Sequence, residues 1–243
     1  MKGVILGICP AARLIDLTHD VPPYDVAAAQ LALEAAVPYF PRGTVHLAVV
    51  DPGVGSARRP LLVEAHGQRF VGPDNGIFTF ALDGGGWSAV VLESPALQLA
   101  TVGRTFHGRD VFAPAAAHAA RGLGVSAFGS AVTDPVRTPL PRARRDGADV
   151  VGEVVATDHF GNLVTSIRAE DLDAMDGTGP PVVGLGTANL GPLRPAYAEG
   201  PPGRPAAIIG SSGRLEVFVR EGSAAATGAA RGTSVRVSRR SAL

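Results

Sequence analysis

Three polar residues in the first half of the chain could do chemistry together. Asp51 follows the apolar run 44–50 and precedes a Pro-Gly turn, Arg58 comes seven residues later, and His107 lies in a loop before an Ala-rich segment. If 44–50 is a buried parallel strand, its carboxyl end is where open α/β sheets bind ligands. Taken singly, each residue also has a plainer interpretation: Asp51 as a turn cap, Arg58 as a surface arginine and His107 as a solvated loop histidine.

A second polar cluster, Asp-His-Phe-Gly-Asn at 158–162, lies in the other half of the chain, where a glycine-centred turn between two strands is the plainer interpretation. The familiar cofactor motifs are absent from the sequence. No G-x-G-x-x-G follows a strand pattern, and Lys2, the only lysine, cannot serve a phosphate-binding loop. The single cysteine, Cys9, excludes a disulfide framework and a multi-thiolate metal site. The six histidines do not have metal-ligand spacings.

The elements that would position the first cluster alternate between strand and helix. Asp25 is a good N-cap for an Ala-rich helix that ends near residue 36, and His66-Gly67 is typical of a hairpin turn. Strands are predicted at 13–18, 44–50, 61–65, 70–71 and 88–92, and helices near 77–82 and at 111–120. This alternation predicts an α/β layer with a largely parallel sheet.

The pattern changes after a Pro- and Arg-rich stretch at 134–148. Beyond it only short strands separated by Gly and Pro turns are predicted, as in a small β-barrel or sandwich. The predicted strands are 152–157, 163–167, 181–185, 206–209, 215–220 and 234–238. We therefore expect an α/β fold with a sandwich-like N-terminal domain (1–135), a linker (136–148) and a smaller C-terminal β-barrel domain (149–243).

The composition restricts the possible partners and location. The chain has 22 basic (Lys and Arg) and 22 acidic (Asp and Glu) residues, so the formal net charge is zero. A nucleic-acid or membrane-surface binder needs a basic excess, so we expect neither partner. Apolar runs are too short to cross a bilayer, and the apolar start is shorter than a signal peptide requires. A cytoplasmic protein is expected.

Six segments in order along the chain carry a resemblance to a known family. They are MKGVILGICPAARLIDLTHDVPPYD at 1–25, VHLAVVDPGVGSARRP at 45–60, VGPDNG at 71–76, TFHGRDVFAPAAAH at 105–118, DHFGNLVTSI at 158–167 and SSGRLEVFV at 211–219. Together they resemble the S-adenosyl-L-methionine hydrolases, or S-adenosylmethionine hydroxide adenosyltransferases, which are relatives of the bacterial fluorinase and chlorinase. The resemblance extends over nearly the whole chain.

The resemblance implies a reaction and an assembly. A water or hydroxide would attack C5′ of the S-adenosylmethionine ribose, giving adenosine and L-methionine without a cofactor or metal. Asp51, Arg58 and His107 match the family's catalytic residues. The resemblance also implies a homotrimer, in which each active site lies between the N-terminal domain of one subunit and the C-terminal domain of the next.

The same resemblance implies seven substrate-binding residues. Asp158 and Asn162, with Phe160 beside them, would hold the methionine end. Tyr197 would stack on adenine, and Ser211 would bind the methionine moiety or the base edge. The remaining two are Tyr24, which would wall the ribose, and Phe106, which precedes His107.

The chain departs from the family pattern at its start, and two alternative functions stay open. Family members carry an additional N-terminal segment with the first strand and an Asp-Phe-Gly motif whose aspartate grips the ribose hydroxyls. Without it, weak substrate binding and an exposed sheet edge are expected. A non-catalytic binder of S-adenosylmethionine or adenosine is therefore one alternative. An adenosyl-halide synthase is the other, but the halogenating relatives carry an aromatic residue in place of Asp51, and the fluorinase has Tyr-Ser where this chain has His107-Gly108.

Overall fold

Two groups of elements make up the chain. The computed structural model describes residues 1–177 and 179–239. The chain divides into two compact units, Met1–Pro139 and Leu140–Leu243, which are described separately below. The domain limits expected from the sequence stay a prediction.

The sheet of the first unit is mixed. Its strands are β1 (Val45–Leu47), β2 (Pro60–Ala65), β3 (Gln68–Pro73) and β4 (Ser88–Val91), in the spatial order β1-β3-β2-β4. β1 is parallel to β3, whereas β2 is antiparallel to both β3 and β4. The prediction of a mostly parallel sheet is not confirmed. The reason is local, because the turn His66-Gly67, with both φ angles positive, joins β2 to β3 directly and a two-residue connection permits only antiparallel pairing.

Three α-helices accompany this sheet: α1 (Lys2–Ile8), α2 (Val26–Ala36) and α3 (Ala113–Ala120). The predicted cap of α2 is confirmed, since Asp25 Oδ1 accepts a hydrogen bond from the Ala28 N–H at 2.9 Å. Such a cap stabilises a helix by about 1 kcal/mol. The strand predicted at 13–18 is not present. That segment lies outside any strand or helix, and Ile15 is 61 % exposed because no neighbouring strand covers it.

The first unit buries both faces of its sheet. Along β2, Leu61 and Val63 belong to the apolar cluster that contains Leu33 of α2, while Leu62 belongs to the cluster that contains Ala116 of α3. This alternation follows from the two-residue period of a strand. The sheet is therefore packed on both sides, and the strand ends from which its loops leave are anchored in the apolar core.

The second unit is built on a nearly closed antiparallel sheet. Its strands are β5 (Arg144–Asp146), β6 (Asp149–Thr157), β7 (Leu163–Arg168), β8 (Pro181–Leu185), β9 (Ala188–Pro192), β10 (Pro205–Ile209), β11 (Arg214–Val219) and β12 (Ser234–Arg239), with a short helix α4 (Ala169–Asp173). Seven strands follow the order β10-β11-β7-β6-β12-β8-β9, and β5 pairs with β6. The Arg194 N–H, just after β9, donates to the Ala207 carbonyl of β10 at 2.8 Å. This contact joins the two ends of the sheet, so the prediction of a small barrel agrees with a barrel-like sheet of seven strands.

No helix in residues 1–177 or 179–239 is both long and apolar enough to cross a membrane.

A buried polar pair lies under the sheet of the first unit. His46 of β1 is 5 % exposed, its ring stacks on Phe70, and its Nε2 donates to Oε1 of Gln68 at 2.6 Å. The Gln68 amide in turn donates to the Phe40 carbonyl at 2.8 Å. Burial lowers the pKa of His46 below its usual value, and the Gln68 contact opposes this only in part. The folded state therefore favours the neutral imidazole.

This pair predicts a loss of stability in acid. Below about pH 6.5, the ordinary histidine value, the unfolded chain binds a proton that folded His46 still excludes. The free energy of unfolding should therefore fall as the pH decreases from there, by at most about 1.4 kcal/mol per pH unit, until folded His46 is itself protonated. Urea unfolding at several pH values, followed through Trp87, the only tryptophan, measures this effect, because Trp87 packs on the same cluster as Phe70.

Two variants separate His46 from the other titrating groups. His46→Asn, which cannot titrate, should be less stable throughout but should depend less on pH than the parent. His159→Asn removes an exposed histidine and should keep the parent's pH dependence. An unchanged pH dependence in His46→Asn would contradict the interpretation.

Candidate active site

Asp51 and Arg58 lie in the loop between β1 and β2, which a glycine brings against a second loop. Gly55 has φ +78°, and a Cβ added there would lie 2.8 Å from the carbonyl oxygen of Arg104. Any side chain at this position would push the two backbones apart. The loop 51–58 therefore packs directly on the loop that leads to His107.

Asp51 and Arg58 form a buried, bidentate ion pair. Arg58 Nε donates to Asp51 Oδ1 at 2.9 Å, and Arg58 Nη2 donates to Oδ2 at 2.5 Å. The two side chains are only 9 % and 6 % exposed, and the guanidinium carbon lies 5.2 Å from the centroid of the Phe112 ring. The planar fork of the guanidinium matches the carboxylate, so the pair holds Arg58 in one orientation.

Arg58 also determines the hydrogen-bonding state of His107. Its Nη2 lies 2.8 Å from His107 Nδ1, and a guanidinium has only donors, so Nδ1 must accept. A neutral His107 therefore carries its proton on Nε2, which has no protein partner among the described residues. The structure brings the three residues together, and their assignment as catalytic residues stays a prediction.

The loop that carries His107 is held by a buried carboxylate. Asp110 is fully buried in the π-helical turn Gly108–Phe112, which begins directly after His107. It accepts hydrogen bonds from the Gly103 N–H at 2.8 Å and from Arg109 Nε at 2.6 Å, and these bonds lower its pKa, with Arg109 contributing most. Asp110 thereby links the start of this loop, at Gly103, to the helical turn that follows His107. The sequence signal for this role is weak: Asp110 is the only acidic residue between His107 and α3.

Phe106 and Tyr24, two aromatic residues predicted to bind substrate, are exposed in the first unit. Phe106 is 62 % exposed and its ring lies 5.3 Å from the Arg109 guanidinium carbon. Tyr24 is 77 % exposed and has φ +68°, which is strained for a tyrosine. Its hydroxyl has no hydrogen-bond partner in the described part of the chain. Neither ring is held among core side chains, so both are accessible to a ligand.

In the second unit, Asp158 and Asn162 form a tight turn between β6 and β7. Asp158 Oδ1 accepts hydrogen bonds from the backbone N–H groups of Phe160 at 2.9 Å and Asn162 at 2.8 Å. Asp158 Oδ2 accepts one from the Asn162 side-chain amide at 2.9 Å. Gly161 has φ +82° and completes the turn, which leaves Phe160 75 % exposed. The plainer interpretation, a glycine-centred turn, is therefore confirmed, and a binding role for these residues stays a prediction.

Tyr197 has a buried partner that the sequence analysis missed. Its hydroxyl donates to Glu216 Oε2 at 2.8 Å, and its ring meets Phe218 edge-on with centroids 4.9 Å apart. Burial and the Glu216 carboxylate raise the pKa of Tyr197 to about 12. Burial raises the pKa of Glu216 as well, and the charge of Asp158 adds to this while the Tyr197 contact opposes it. An acidic residue within the apolar strand LEVFV was the available signal.

Ser211 lies in the turn from β10 to β11, where the Gly213 N–H donates to the Gly210 carbonyl at 3.0 Å. Its side chain is exposed, and no residue within 1–177 or 179–239 accepts from or donates to its hydroxyl. Ser211 is therefore an exposed residue of a turn, and its binding role stays a prediction.

Comparisons with known proteins place the chain in a family. Residues 1–129 match the N-terminal domain of SAM hydroxide adenosyltransferases, and residues 152–236 match their C-terminal domain. A relative from Thermus thermophilus, named (R)-S-adenosyl-L-methionine hydrolase, is 42 % identical over 92 % of this chain and 87 % of its own length. A more distant relative from Actinoplanes, named fluorinase, is 29 % identical over 88 % of this chain and 83 % of its own.

A solved structure has a similar fold. The crystal structure of an uncharacterized conserved protein from Thermotoga maritima is similar, with a TM-score of 0.89 and 32 % identity over 98 % of this chain and 93 % of that one. The family match extends across both units, and the identity to the Thermus relative is high over most of the chain. The chain therefore belongs to the SAM hydroxide adenosyltransferase family.

Proposed function

We propose that this protein hydrolyses S-adenosyl-L-methionine to adenosine and L-methionine. The observation that carries the proposal is the hydrogen-bonded set Asp51–Arg58–His107, in which a neutral His107 presents an oriented Nε2–H. The proposal is supported by the family assignment and by the name of the Thermus relative.

The reaction needs little help with its leaving group. An oxygen nucleophile forms a bond to C5′ of the ribose while the bond from C5′ to sulfur breaks, and sulfur keeps the electron pair as a neutral thioether. The positive sulfonium is already a good leaving group, so no acid, metal or cofactor is required to expel methionine. The protein has to hold a water or hydroxide in line with the bond that breaks.

In this proposal His107 donates a hydrogen bond to that oxygen. Its Nδ1 is occupied by Arg58, so the neutral ring offers only the Nε2 hydrogen. A donated hydrogen bond and the nearby guanidinium charge both stabilise hydroxide relative to water. Asp51 acts through Arg58, since both of its carboxylate oxygens accept from the guanidinium. The set therefore favours attack by a stabilised hydroxide over removal of a proton by His107.

Low polarity at the site would accelerate this step. A hydroxide and a sulfonium become two products without these charges, so charge disappears in the transition state. Withdrawing water then raises the free energy of the charged reactants more than that of the transition state, which lowers the barrier, provided that fixed donors replace the lost solvation. Arg58 is held in such an environment, next to the Phe112 ring and 9 % exposed.

The substrate-binding roles are part of the same proposal. Asp158 and Asn162, with Phe160, would bind the methionine end, and one support is that the turn leaves the Phe160 ring exposed. Tyr197 would stack on adenine. Ser211 would bind the methionine moiety or base edge. The exposed ring of Tyr24 would wall the ribose, and the exposed ring of Phe106 would also contact the substrate.

Product analysis separates hydrolysis from the alternatives. Incubation with S-adenosylmethionine in oxygen-18 water, followed by chromatography and mass spectrometry, should yield equal amounts of methionine and adenosine labelled at its 5′ oxygen. A halogenated adenosine formed in the presence of chloride would indicate an adenosyl-halide synthase. Binding of S-adenosylmethionine without product would indicate a non-catalytic binder, and either result would overturn the proposal.

Two substitutions test the roles within the set. His107→Ala removes the donor to the nucleophile and should lower kcat about a hundredfold or more. Arg58→Lys keeps the charge but loses the fork that contacts both Asp51 and His107, so a comparable loss in kcat is expected. Steady-state rates of adenosine release provide the measurement, and His66→Asn, at an exposed histidine in the hairpin turn between β2 and β3, is the matched control. A His107→Ala variant with the same kcat as the parent would contradict the mechanism.

We further propose that the protein is a homotrimer, as the family resemblance implies. Size-exclusion chromatography with light scattering should give a mass three times that of the single chain. A monomer or dimer at concentrations where the enzyme is active would contradict this assembly.

A further inference from the structure

Glu216 occupies an unusual place in the second unit. Along β11, Leu215 and Val217 point into the main apolar core, so Glu216 and Phe218 lie on the opposite face of the strand. Phe218 belongs there to a small separate cluster with Ala206 and Ile208. Glu216 is only 7 % exposed although it carries a carboxyl group. A buried carboxylate is costly unless it has partners.

Glu216 has few partners for a group buried so deeply. In the described part of the chain, the Tyr197 hydroxyl is the only hydrogen-bond donor to its carboxylate, and neither arginine nor lysine forms an ion pair with it. The one nearby charge that affects its pKa is Asp158, which is also negative. Burying this carboxyl group therefore costs more free energy than burying an apolar side chain at the same position would.

The space around the carboxylate is closed on one side by backbone. Gly210 lies against it, and a Cβ added at Gly210 would collide with the Glu216 carboxyl group. The absence of a side chain at Gly210 thus makes room for Glu216, and the carboxylate is confined between this backbone and the Tyr197 hydroxyl. Glu216 can offer Oε2 to Tyr197 from only a narrow range of positions.

Tyr197 is consequently held at two points. Its hydroxyl is bonded to Glu216, and its ring meets the edge of Phe218 at an interplanar angle of 80°. The residue is nevertheless 44 % exposed, so part of its ring stays open to a ligand. A ring fixed before the ligand arrives loses less conformational entropy on binding than a freely rotating one.

We propose that Glu216 is a positioning residue that fixes the Tyr197 ring for stacking on the adenine of the substrate. The inference deepens the proposed function, on which the adenine-stacking role of Tyr197 rests. Glu216 does not touch the reacting atoms in this scheme. Its contribution is to affinity for the adenosine part of the substrate.

Three variants test the inference through adenosine binding and steady-state kinetics. Glu216→Leu and Tyr197→Phe each remove the hydrogen bond, and each should raise the Kd for adenosine and the KM for S-adenosylmethionine about fivefold, the effect expected of one hydrogen bond. At saturating substrate kcat should stay close to that of the parent, because the bond acts on binding alone. Glu216→Gln retains an oxygen acceptor for the Tyr197 hydroxyl and should restore most of the affinity.

The double variant distinguishes positioning from an independent effect. Glu216→Leu combined with Tyr197→Phe should bind adenosine no more weakly than either single variant, since both break the same contact. Glu199→Gln, an exposed glutamate in the same turn as Tyr197, is the matched control and should bind like the parent. Thermal melting of each variant measures its stability, so that a loss of folding can be distinguished from a loss of adenosine affinity.

Glu216→Leu that binds adenosine within twofold of the parent, or single effects that add in the double variant, would show that Glu216 does not act through Tyr197. If Glu216→Leu does not fold, Glu216→Gln and Tyr197→Phe decide the matter by the same titrations. A parent that binds adenosine but releases none from S-adenosylmethionine would refute the proposed function and leave the positioning test intact.

Discussion

The buried ion pair between Asp51 and Arg58 is the interaction on which the candidate site depends. Neither charge is stable alone in surroundings that leave the two side chains under a tenth exposed, because removing one partner of a buried pair leaves an uncompensated charge. Their mutual fork fixes the guanidinium, and Arg58 Nη2 uses one hydrogen for Asp51 and the other for His107. Asp51 therefore fixes the orientation of Arg58, and Arg58 in turn fixes the tautomer of neutral His107, which lies 49 residues further along the chain.

The rest of the first unit positions the backbone of the two loops that carry Asp51, Arg58 and His107. The sheet buries both of its faces, and so the loops that leave it have fixed origins. Gly55 lets one loop pack on the carbonyl of Arg104, and buried Asp110 closes the other loop onto the start of α3. In the second unit a comparable arrangement recurs with different chemistry. Gly210 makes room for Glu216, and Glu216 holds Tyr197.

Local sequence signals predicted the features that depend on a few neighbouring residues. The Asp25 cap and the His66-Gly67 hairpin follow from turn and cap chemistry, and the structure contains both. The order and direction of strands did not follow, because a helix–strand alternation is also compatible with the mixed sheet that forms. The run 13–18 shows the same limit, since an alternating apolar pattern makes a strand only where a neighbour is present to pair with it.

By itself the sequence determined which residue types are available and, through six co-linear motifs, the family to which they belong. Asp51, Arg58 and His107 could be singled out because their types and flanking turns suit a ligand site. Only the tertiary structure decided that Arg58 donates to Nδ1, which makes His107 a donor toward the nucleophile. It alone also revealed Glu216, since a glutamate within an apolar strand gives no sign of its partner until the chain brings Tyr197 to it. Hydrogen-bond roles depend on distances between residues remote in sequence, and these distances exist only in the folded chain.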